Sequence, residues 1–195
     1  EALLSVEGAI DLIVTDPYKK EAYSLLIRSK SGIQFAPQAE ELGIVNHIIY
    51  DEKLGVIHAL NTDGTGMVSA IQRYLTLKAK NIVLIGAGAT GTSIGYECVQ
   101  EAANLVIADK VQNRSNELAE RLGKYSATGA RVEAIALEAL PDSLPEADVV
   151  IVAISEGSGL SESDLKLVRK GALIADTRYG DNSPLSNRLK NDRRL

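Results

Sequence analysis

The chain has 195 residues, 45% of them hydrophobic and 24% charged, with a formal net charge of -5. That length supports one ordinary domain or two small ones with a substantial core. The acidic balance argues against a nucleic-acid-binding surface, and no apolar run nears the roughly 20 residues of a membrane span. One cysteine, Cys98, excludes an intrachain disulfide and reads as a small core residue of a helix. No signal peptide is visible, so a reducing compartment, the cytoplasm, is expected.

"AIDLIVTD" (9–16) is a strand candidate. "PYKKEAYSLLIRSK" (17–30) follows as a helix opened by Pro17, with Asp16 as its N-cap. "GIVNHIIY" and "GVIHALN" flank "DEKL" and read as a hairpin. His47 and His58 lie in these runs without metal-ligand spacing, and no metal site is expected. "NTDGTG" (61–66) carries turn and cap chemistry. "GTGMVSAIQRYLTLKA" (64–79) reads as a long helix leading onward.

Beyond residue 80 the pattern changes. Short β-branched apolar runs, "NIVLIG", "NLVIAD", "ARVEAIAL", "ADVVIVAI" and "GALIADT", are separated by helical patterns. Strands buried on both faces and alternating with helices predict an α/β chain with a Rossmann-like, doubly wound parallel sheet. The expected organisation is a smaller α/β domain over 1–64, a linking helix over 65–78, the Rossmann-like domain over 79–186 and a basic tail over 187–195.

"GAGATG" fits G-x-G-x-x-G, a weak pattern alone. Here it follows a strand run and opens a helix, and Asp109 ends the next strand 18 residues after Gly91. That context reads as a dinucleotide-binding fingerprint. Gly86 permits the tight turn, Gly88 lets the backbone approach a pyrophosphate, and Gly91 lets helix and strand pack closely. The cofactor-binding set is therefore Gly86, Ala87, Gly88, Ala89, Thr90, Gly91, Asp109 and Lys110. Asp109 is placed to accept from ribose hydroxyls and to repel a 2′-phosphate, so NAD is expected over NADP. Lys110 and Arg114 argue the other way.

Five blocks, in order over residues 8 to 186, resemble the shikimate and quinate dehydrogenase family. "VTDPYK" resembles V-T-x-P-x-K, "LGIVN" resembles G-A-V-N-T, and "NTDGTG" matches N-T-D-G-x-G. "IGAGATG" falls at the family's cofactor glycines, and "DTRYGDNSPL" resembles D-x-x-Y-x-P-x-x-T-P-L. The resemblance implies reversible hydride transfer between a ring alcohol and its ketone. It matches Lys19 to the catalytic lysine and Asp63 to its partner. It matches Thr15 and Asn46 to substrate contacts, and Tyr179 to a tyrosine on the nicotinamide side of the cleft. The implied partner is a cyclic polyol carboxylate, with the protein a monomer or homodimer.

The chain also departs from the family pattern. Ile13, Asp16 and His47 replace an asparagine, an apolar residue and a threonine. "VAISEGSG" stands where N-A-T-P-x-G-M is usual. No S-x-S-P segment for a substrate carboxylate is found, nor a final helix bearing a substrate-contacting glutamine. A shortened or fragmentary member is expected, with a truncated substrate domain. The alternative is a non-catalytic module on the same fold that senses NAD or a metabolite. A methylene-folate-type dehydrogenase shares the two-domain plan, but the N-T-D-G-x-G block argues against it.

Overall fold

The computed structural model describes residues 11–29, 32–126, 129–155, 157 and 159–178. Tyr179 and the basic tail over 187–195 lie outside the described residues.

The first sheet joins β1 (Asp11–Ile13), β2 (Ile33–Phe35), β3 (His47–Asp51) and β4 (Val56–Leu60) in the order β1-β3-β4-β2. β3 and β4 form the expected hairpin, His47 pairing with Leu60 and Asp51 with Val56. Asp51 closes it by accepting from the Lys53 and Leu54 amides at 2.9 and 3.1 Å. The hairpin register has a consequence for the site. Residues just before β3 and just after β4 lie side by side, so Asn46 meets the Asn61–Asp63 turn.

α1 spans Lys19–Arg28, two residues later than the Pro17 start expected, with Tyr18 at the N-cap position and no side-chain cap. Asp16 is therefore not the cap. The Tyr18 amide instead donates to the Thr15 carbonyl at 3.0 Å, making a turn ahead of the helix. β2 and α2 (Pro37–Leu42) were not expected. The sequence carried a signal for α2, since Pro37 opens it and Gly43 ends it in the left-handed conformation.

α3 spans Asp63–Gln72, shorter than the 64–79 pattern suggested. Beyond it the chain turns so that Leu77 is fully buried in the core under the second sheet.

The second sheet joins β5 (Asn81–Ile85), β6 (Asn104–Asp109), β7 (Val132–Ala136), β8 (Val149–Val152) and β9 (Leu173–Asp176). All are parallel, in the order β7-β6-β5-β8-β9. The apolar runs explain the placement: Ile82, Leu84 and Ile151 pack on one face, Val83, Ile85 and Val150 on the other. α4 (Ala89–Gln100) and α5 (Gln112–Gly123) cover the first face. α6 (Leu140–Ser143) and α7 (Glu162–Leu167) lie towards the second, α7 opened by a Ser161–Asp164 capping box. The strand order reverses at β5, so a crevice opens at its carboxyl end, where ligands of such sheets bind.

No described helix is long and apolar enough to cross a membrane. Cys98, on the buried face of α4, joins the core cluster, and burial pushes its thiol up to about 12, with Glu97 and Glu101 adding to the rise. Cys98 should therefore resist iodoacetamide at pH 8 in the folded protein and react stoichiometrically in urea. Rapid native labelling, followed by mass spectrometry, would contradict this core placement.

Candidate active site

Four separated chain positions converge on one cleft. Lys19 is the first residue of α1, Asn46 precedes β3, Asp63 is the first residue of α3, and Thr90 is the second residue of α4. The Lys19 ammonium donates to Asp63 Oδ2 at 2.5 Å and to Thr90 Oγ1 at 2.8 Å. Asn46 Nδ2 donates to the other oxygen, Asp63 Oδ1, at 2.6 Å. Asn46 Oδ1 in turn accepts from the Thr62 amide at 2.8 Å. The Lys19 side chain is only 9% exposed and that of Asp63 22%, so the pair is shielded enough for its charges to matter.

Local sequence explains this convergence. A Cβ at Gly64 would meet the Ser93 carbonyl oxygen at 2.2 Å, so only glycine lets α3 lie this close to α4. That contact sets Asp63 beside the glycine turn. Asn61 Nδ2, buried in the same seam, donates to Ser93 Oγ at 2.6 Å. Gln38 of α2 donates to Glu97 Oε1 of α4 at 2.7 Å. Burial pushes the Glu97 carboxyl above its ordinary value, against a lowering hydrogen bond from Thr65.

The glycine turn behaves as its spacing implies. Gly86 has φ +111°, and a Cβ there would strike the Ala153 carbonyl oxygen at 2.3 Å. A Cβ at Gly91 would meet the Gly86 carbonyl oxygen at 2.0 Å. Gly88 differs: beyond its two chain neighbours nothing lies within 4 Å of a Cβ built there, and its backbone is in an ordinary extended conformation. The protein's own packing does not require glycine at 88. An open cradle above the first turn of α4 fits the close approach of a pyrophosphate.

Asp109 Oδ2 accepts from the Ala87 amide at 2.7 Å and Oδ1 from the Val111 amide at 2.8 Å. The carboxylate thus ties the tip of β6 to the glycine turn. Lys110 and Arg114 line the same end of the cleft.

The cleft holds about 1260 Å³. That exceeds the roughly 300–1,000 Å³ of an ordinary small-molecule pocket. Thr15 is exposed on its rim, without a side-chain partner among the hydrogen bonds described. Arg178 is a lining residue that sequence reading passed over. Its guanidinium grips Asp176 through Nε and Nη2, each at 2.9 Å, and also donates to the Gly157 carbonyl. The available signal was a cation directly after a buried strand run.

A family model described as shikimate/quinate 5-dehydrogenase matches residues 69–170, over half of the chain. The chain belongs to the shikimate/quinate dehydrogenase family. It is 33% identical over 187 residues to a shikimate dehydrogenase (NADP(+)) of Pyrococcus abyssi, covering 95% of this chain and 63% of that one. A second shikimate dehydrogenase (NADP(+)), from Pyrococcus furiosus, is 33% identical over 168 residues, covering 85% of this chain and 55% of that one. The chain thus spans less than two thirds of the length of these family members. In fold it resembles the quinate dehydrogenase of Corynebacterium glutamicum solved with NAD, with TM-score 0.70 and 24% identity over 88% of this chain and 60% of that one.

The two glycines separate packing from ligand approach. Gly91→Ala should lower the stability of this family member by about 2 kcal/mol or more, because a carbonyl blocks the new methyl. Gly88→Ala should change it by less than about 0.5 kcal/mol. Equal losses in urea unfolding would refute the distinction.

Proposed function

We propose that the chain carries the nicotinamide-dependent oxidoreductase chemistry of its family, acting on a cyclic hydroxy acid such as shikimate or quinate. The observation that carries this reading is the shielded Lys19–Asp63 pair, held at 2.5 Å on the wall of the cleft beside the glycine turn. The names of the archaeal relatives support the same reaction class.

Hydride acceptance and return is the chemistry that a bound nicotinamide supplies. The chain's own residues manage the proton. Lys19 accepts the hydroxyl proton as the alcohol is oxidised and returns one to the same oxygen when the ketone is reduced. Asp63 holds the ammonium in place, and Asn46 fixes the carboxylate by occupying its second oxygen. Thr15, Asn46 and Tyr179 are assigned to the substrate by their motifs. The open cradle at Gly88 and the amides at the start of α4 would receive the pyrophosphate.

The cofactor is NAD in this reading. A carboxylate fixed at the tip of β6 accepts from ribose hydroxyls and repels a 2′-phosphate. The NADP(+) in the names of the relatives, with Lys110 and Arg114 at the same rim, favours the opposite choice.

Two expectations test the proposal. Lys19→Ala should reduce shikimate- or quinate-dependent cofactor reduction by about 10²- to 10⁴-fold while leaving dinucleotide binding intact. Binding without turnover in the unaltered protein would instead favour a dinucleotide-sensing module. NAD should be preferred to NADP by about tenfold or more in kcat/KM, and Asp109→Asn should erode that preference by removing the repelling charge. A native preference for NADP would show that Lys110 and Arg114 outweigh Asp109.

A further inference from the structure

Thr90 belongs by sequence to the glycine turn, where a hydroxyl at the start of a helix ordinarily serves a phosphate. Its geometry here differs. The hydroxyl oxygen is 2.8 Å from Lys19 Nζ and 3.4 Å from Asp63 Oδ2, across the cleft between the two sheets. Residues 71 apart in sequence are thereby joined.

We infer that Thr90 is a positioning residue for Lys19, fixing its Nζ atom for proton transfer from the cofactor side of the cleft. This rests on Lys19 being the proton-transfer group, as proposed above.

Donor counting supports the assignment. An ammonium carries three N–H donors. One is spent on Asp63 and one on Thr90, which leaves one for a substrate oxygen. Two fixed anchors define where the third donor can point. Asp63 alone would leave the nitrogen free to swing about a single contact on a flexible four-carbon stem.

The hydroxyl also suits both protonation states of the amine. It accepts from the charged ammonium and can rotate to donate to the neutral amine or to Asp63. A carboxylate alone can only accept. Lys19 therefore keeps a partner at Thr90 when the proton has been passed on and when it has been taken back.

Rigidity completes the argument. Thr90 is β-branched, which restricts its first side-chain torsion. It sits on the first turn of α4, where Gly91 packs against the Gly86 carbonyl and the Ser93 hydroxyl donates to the Ala89 carbonyl at 3.0 Å. The anchor for Lys19 is therefore part of the segment that would contact the dinucleotide.

The test compares Thr90→Val, which keeps the branch and removes the hydroxyl, with Thr90→Ser, which keeps the hydroxyl. Turnover is measured with shikimate or quinate, and dinucleotide dissociation constants by fluorescence titration with the reduced cofactor. Thr90→Val should lower kcat by about 10- to 100-fold, the range of a lost hydrogen bond to a charged group. Its dissociation constant should stay within about twofold, and Thr90→Ser should recover most of the lost kcat. An unchanged kcat with weakened dinucleotide binding would make Thr90 a phosphate ligand only and overturn the inference. So would a serine variant as impaired as valine.

A second measurement needs no turnover. In urea unfolding, Lys19→Met, Thr90→Val and the double variant should be non-additive by about fivefold or more in the unfolding constant. Additivity would overturn the inference by itself. Retained turnover in Lys19→Ala would instead defeat the proposed role of Lys19, so the two failures are distinguishable.

Discussion

The close approach of α3 to α4 is the constraint on which the cleft depends. It is possible only because position 64 has no side chain: any Cβ there would overlap the Ser93 backbone. The start of α3 is thereby pressed against the start of α4. One carries Asp63 and the other carries Thr90, so a single helix contact brings the acidic partner of Lys19 to the glycine turn. Polar bonds along the same seam, from Asn61 to Ser93 and from Gln38 to Glu97, hold the first sheet's elements against the second. Asn61 and Ser93 are buried and Gln38 and Glu97 half-buried, so their pairing favours one relative arrangement of the sheets.

Within that frame, the charged centre is arranged so that each polar atom has a use. Asp63 divides its two oxygens between Lys19 and Asn46, and Asn46 is itself held by Thr62. A carboxylate gripped from two sides cannot rotate away from the ammonium. The result is a shielded ion pair with a defined direction. Such a pair is a poor means of gaining stability, since desolvation offsets much of the attraction, and its fixed direction suits the proton transfer proposed for Lys19. The same economy appears at Asp109, whose carboxylate braces the glycine turn through the Ala87 amide while remaining on the cleft wall. A residue that sequence spacing assigns to ribose recognition also shapes the loop.

Much of this was legible in advance because the signals were local. Alternation of apolar strand runs with helices gave the parallel sheet, and the spacing of Gly86, Gly88, Gly91 and Asp109 gave the turn and the strand end. Where local signals competed, the reading failed. Asp16 and Pro17 looked like a helix start, but the chain makes a turn there first and the helix opens at Lys19. Residues 73–79 continued a helical pattern, yet Leu77 gains more by entering the core than by extending the helix. β2 was too short for its alternation to stand out.

The sequence by itself determined the fold class, the dinucleotide-type turn and the identity of the residues worth testing, because each depends on spacing within a few dozen residues. Only the tertiary structure decided what those residues do to one another. Nothing in the spacing joins Lys19 to Thr90, Asn46 to Asp63, or Asp109 to Ala87. Such pairings arise when hairpin register and helix contact bring distant segments within hydrogen-bond range. Directional bonds of under 3 Å depend on backbone positions that no single segment fixes alone.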